Sequence, residues 1–83
     1  MVKIYIELQA RKGLTQIGFF KNEPGFIPNS KVLQTPFALV EDFMADTFNS
    51  QPEAVVVANK ALQSLNFGFY KSISVDFMEV QNA

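Results

Sequence analysis

The sequence predicts an α+β domain of order β-β-α-α-β, a three-stranded sheet with two antiparallel helices packed on one face. Three observations carry this expectation. Apolar residues alternate with period two near both ends of the chain, they recur at helical spacing in the middle, and turn residues separate the segments. A length of 83 residues fits one compact domain, residues 1–83, with no room for a second.

Each element has its own signal. Val2, Ile4, Ile6 and Leu8 alternate with Lys3, Tyr5 and Glu7, the pattern of a half-buried strand. Ala10-Arg11-Lys12-Gly13 is polar and ends in glycine, as a short hairpin connection should. In the next strand Thr15, Ile17 and Phe19 share one face, with Gln16, Gly18 and Phe20 on the other. Of these Ile17 is expected in the core. Gly18 inside a strand points to a bulge or to close approach by another backbone.

Residues 21–34 show neither period. Pro24-Gly25 suits a turn, and Pro28 opposes both helix and strand. The first helix is expected from Thr35 as N-cap and Pro36 at the first helical position. Its apolar stripe is Phe37, Val40, Phe43, Met44 and Phe48, and its polar face is Glu41, Asp42, Ala45, Asp46 and Asn49. Ser50-Gln51-Pro52-Glu53 is a capping box that opens a second helix. Its stripe of Ala54, Val57, Ala58, Ala61, Leu62 and Leu65 is small enough for close packing. From Phe69 the period returns to two: Ile73, Val75 and Phe77 face one way, and Ser72, Ser74 and Asp76 the other. The predicted core is Ile4, Ile6, Ile17, Phe37, Val40, Met44, Val57 and Leu62. The last strand is expected antiparallel to the second, with the first strand central and at least one sheet edge open.

Composition narrows function by exclusion. The chain has no His and no Cys, so it lacks an imidazole, a thiolate and the usual ligands of zinc, haem and iron–sulfur clusters. The eight acids and seven bases show no catalytic spacing. Asp42 and Asp46 are i,i+4 neighbours with Glu41 nearby, but a solvated helix face explains them without a cation. The four glycines form no phosphate-binding motif, and the serines have no histidine to activate them. The expectation is a non-enzymatic protein without cofactor or metal. No apolar run exceeds the five residues Ala54 to Ala58, far below the ~18–20 of a membrane span. With no signal-peptide pattern after Met1-Val2-Lys3, a cytoplasmic location is expected.

Charge is divided along the chain. Residues 1–31 hold five bases and two acids, whereas residues 32–83 hold two bases and six acids. That asymmetry fits either internal complementarity between the two halves or a charged partner.

Two candidate surfaces follow. Loop 21–34 carries Phe26, Ile27, Val32 and Leu33 beside Lys21 and Lys31, an apolar centre with a basic rim that suits a protein interface. The same side chains could instead fold back as a lid on the core. The second surface is the basic, aromatic hairpin side, Lys3, Tyr5, Arg11 and Lys12, which would suit nucleic acid. Lys3-Ile4-Tyr5-Ile6-Glu7-Leu8 resembles the first-strand motif of the RNA-recognition-motif family, and Asn66-Phe67-Gly68-Phe69-Tyr70 resembles part of its third-strand motif. Such a resemblance implies bases stacked on exposed aromatic rings. The chain departs from that family in three respects: it has a hairpin where the family has a helix, its aromatic strand follows the last helix, and the motif's opening basic residue is missing. The leading expectation is a small protein–protein interaction or structural module that buries apolar surface against another protein or its own copy. Subunits, adaptors, inhibitors and small phage accessory proteins are of this kind. A nucleic-acid-associated module is the alternative, though net charge −1 argues against it.

Overall fold

The computed structural model describes residues 1–13, 15–25, 37–65 and 67–80. It contains four strands and one α-helix: β1 (Val2–Ala10), β2 (Thr15–Lys21), β3 (Ala38–Val40), α1 (Gln51–Leu62) and β4 (Tyr70–Glu79). All strand pairs are antiparallel, in the order β3-β2-β1-β4. A 3-10 turn, Asp42–Met44, follows β3, and another, Phe67–Phe69, leads into β4.

β1 is central because its alternation is uninterrupted. Ile4, Ile6 and Leu8 are fully buried under α1, while Lys3, Tyr5, Glu7 and Gln9 face the other way and are half-buried. Each such aliphatic side chain contributes about 1.5–3 kcal/mol through its burial. Gly13, at φ 121°, makes the left-handed step that lets β1 turn into β2. α1 begins as its capping box requires: the Ser50 hydroxyl accepts the Glu53 N–H at 3.4 Å, and Pro52 occupies the first turn. Ala54 and Ala58 are buried against the sheet, where their small size brings the helix close.

The expected architecture needs correction. The sheet has four strands rather than three, and there is one α-helix rather than two. The segment expected as the first helix contains β3 and the 3-10 turn. Then Phe48 forms an isolated bridge with Val2, each N–H donating to the other's carbonyl at 2.8 Å. The helical stripe had no place for Leu39. As a strand, β3 sets Leu39 opposite Phe20 and packs it against the core. Glycine makes room for this: a Cβ on Gly18 would lie 3.0 Å from that of Leu39, and one on Gly25 would lie 2.8 Å from the Ala38 Cα.

The faces of β2 are also inverted relative to expectation. Phe20 is buried and stacks on Phe37 with ring centroids 5.7 Å apart, whereas Ile17 is 58% exposed. Met44 is exposed, and Val40 is half-buried on the far side of the sheet. The last strand, β4, runs antiparallel to β1 rather than to β2, because β3 and a single helix, instead of a helix pair, return the chain. Ile4, Ile6 and Phe37 are core residues as expected, and Val57 and Leu62 pack partly buried against them.

Candidate functional site

With α1 on one face of the sheet, no described element covers the centre of the other. Strand register defines what that face displays. One row across it reads Asp76, Tyr5, Phe19 and Val40, and the next reads Ser74, Glu7 and Ile17. The Tyr5 and Phe19 rings meet edge-on, with centroids 5.1 Å apart and planes at 66°. That geometry suits the ring quadrupoles and fixes the aromatic pair in the middle of the sheet. Beside it stands Ile17, and Met78, 45% exposed, lies next to Lys3.

The charges around this face are already committed. The Lys3 ammonium donates to both the carboxylate and the carbonyl of Asp42, and it stands 6.0 Å from the centre of the Phe19 ring. Only 14% of its side chain is exposed. Lys21 lies 3.9 Å from the Asp46 carboxylate and donates to the Met44 carbonyl. Asp46 also accepts the Asn22 N–H at 2.7 Å. Thus Lys3 and Lys21 of the basic half meet Asp42 and Asp46 of the acidic half, which is the internal form of the charge asymmetry. Each acid already has a lysine partner, and among the described residues no cluster of acids could hold a metal ion.

The expected sites fare differently. Phe26, Ile27, Lys31, Val32 and Leu33 lie outside the described residues, so of that surface only Lys21 is placed. Of the alternative surface, Lys3 and Tyr5 share the uncovered face. Arg11 and Lys12 belong to the hairpin turn, where Arg11 Nε donates to the Gly68 carbonyl at 3.1 Å. The turn and the sheet face are therefore separate places, and the four residues do not form one patch. Ile17 and Val40, both expected in the core, and Phe19, expected on the strand face of Ile17, are the site residues that sequence reasoning does not reveal. Their signal was Gly18: a glycine that admits another backbone marks its own face as the packed one, which turns its neighbours outward.

A groove of about 580 Å³ runs between α1 and β2, lined by Phe20, Phe37, Val56, Val57, Lys60 and Ala61 among others. It is apolar apart from Lys60, Asn22 and Ser64 and presents no reactive pair. Among the described residues, no helix is long and apolar enough to cross a membrane. No family model, curated protein or solved structure matches the chain.

Proposed function

We propose that this chain is a small, non-enzymatic protein–protein interaction module that binds through its uncovered sheet face. Tyr5, Ile17, Phe19 and Val40 supply the apolar centre, with Glu7 beside Ile17 on the central strand, and Asp76 and the Lys3–Asp42 pair form the rim. The observation that carries the reading is the exposed Ile17 beside a locked aromatic pair in the middle of a sheet. A fixed aromatic anchor loses little side-chain entropy on binding, and burial of such residues dominates interface energetics. A subunit, adaptor or inhibitor works in this way. Nucleic acid is less well served, because the lysine of the face is neutralised by Asp42 and carboxylates flank the rings.

The test uses tagged protein in its native cell, with mass spectrometry of whatever co-purifies. Ile17→Asp places a charge at an exposed position, so the isolated domain should melt nearly as the wild type does. The expected result is one or more proteins enriched by the wild type and lost with Ile17→Asp. Equal enrichment by both forms, with the variant folded, would refute the sheet face as the binding surface.

A further inference from the structure

β4 is an edge strand of ten residues with no proline, and among the described residues nothing pairs with its outer side. Its inward residues Ile73, Val75 and Phe77 are only half-buried, because they lie at the margin of the core beside the open edge. Strands of this kind pair with other chains unless something blocks them.

The direction of the free backbone groups follows from the β1–β4 ladder. The Val80 N–H donates to the Met1 carbonyl at 2.8 Å, so that pair is hydrogen-bonded. Antiparallel pairs alternate, which makes Met78, Asp76, Ser74 and Ser72 the residues bonded to β1. Phe77, Val75 and Ile73 therefore direct their N–H and C=O groups outward.

We propose that two copies of this chain join through this edge, β4 against β4 in antiparallel pairing, with Val75 on the twofold axis. Every outward backbone group then meets its counterpart. Ile73 falls opposite the other copy's Phe77, and both pairs extend the half-buried margin of the two cores. Ser74 falls opposite Asp76, a hydroxyl facing a carboxylate. Beyond this ladder, Lys71, the extra residue of the bulge opposite Gln9 and Ala10, meets Glu79 of the other copy. Glu79 Oε1 already takes the terminal ammonium at 3.2 Å, and its side chain remains 74% exposed with a second oxygen to offer. Charge selects this register over its neighbours. A shift of two residues one way sets Asp76 against Asp76, and a shift the other way sets Lys71 against Phe77 and leaves Glu79 alone. Like charges directly opposite are destabilising.

This inference does not depend on the sheet face as a binding surface. The sheets of the two copies would run together as eight strands, and the uncovered face of each would stay free. Sedimentation equilibrium on the full chain tests it. A dimer is expected, and Lys71→Glu, which sets acid against acid at both ends of the ladder, should weaken it by about tenfold or more. Lys71→Glu with Glu79→Lys restores the opposite charges and should restore the dimer. Ile17→Asp should leave it unchanged. A monomer up to millimolar concentration would overturn the proposal. So would a dimer that Lys71→Glu leaves intact, or one that Ile17→Asp abolishes; in the last case copies pair through the sheet face instead.

Discussion

Tyr70 is the residue whose environment asks most of its chemistry. It is 5% exposed, and among the described residues its hydroxyl has no hydrogen-bond partner. An unpaired buried hydroxyl costs about 1–3 kcal/mol, so Tyr70→Phe should match or slightly exceed the wild type in stability at neutral pH. Burial also pushes the phenol above its ordinary pKa of 10.0, since desolvation disfavours the phenolate. In the unfolded chain the same group ionises near pH 10. Between the two values the unfolded state holds fewer protons than the folded one, so stability falls as pH rises through that window. Denaturant titrations should therefore show the advantage of Tyr70→Phe over the wild type widening above about pH 10. A constant difference from pH 7 to 11 would mean that Tyr70 reaches solvent or a partner when it ionises.

At the scale of elements, legibility divided by whether a segment had one possible period. β1 alternates in every residue, α1 has a capping box, and β4 alternates from Ser72 to Phe77. All three were readable, as was the glycine turn at Gly13. Residues 37–48 fit two periods at once. Phe37, Val40, Met44 and Phe48 match a helix, yet Phe37 and Leu39 also match a strand, and only tertiary pairing with β2 decides. Gly18 held the answer in local form, because its absent Cβ is the space that Leu39 needs. Gly18→Ala puts a Cβ within 3.0 Å of the Leu39 Cβ and 3.2 Å of the Val40 nitrogen. Overpacking of this kind costs about 1–3 kcal/mol. The expected result is a lower melting temperature, with amide exchange quickened first at Phe19–Lys21 and Ala38–Val40, the paired residues of β2 and β3. Unchanged exchange at those amides would show that β3 can yield without loss, and that Gly18 is not what admits it. Sequence reading also named the uncovered face only in part. Lys3 and Tyr5 read as outward residues, but Ile17, on one strand face with Phe19, reads as core.

Over the whole molecule, part of the opposition between a basic first half and an acidic second half is spent internally. Lys3 holds Asp42, Lys21 approaches Asp46, and the terminal ammonium meets Glu79. What remains around the sheet face is Glu7 and Asp76 beside the aromatic pair, on a chain of net charge −1. Phosphate recognition works the other way. It needs cations free to displace counterions, and each phosphate contact on a single strand adds about 0.7 to the slope of log affinity against log salt. Base stacking on Tyr5 and Phe19 would bring phosphates close to these carboxylates, and the two rings are already packed against each other. A labelled single-stranded RNA should therefore show no anisotropy change with the wild-type protein even at about 50 mM salt, where electrostatic attraction is strongest. The sharper arm is Asp42→Asn, which removes the negative charge paired with Lys3 while leaving its bond to the Asp42 carbonyl, and lowers the acidity of the rim without touching the rings. If weak RNA binding appears only in that variant, the wild-type face is apolar in purpose and its lysine is structural. Salt-sensitive binding by the wild type, lost with Tyr5→Ala, would instead make the aromatic pair a base-stacking platform and reverse the functional reading.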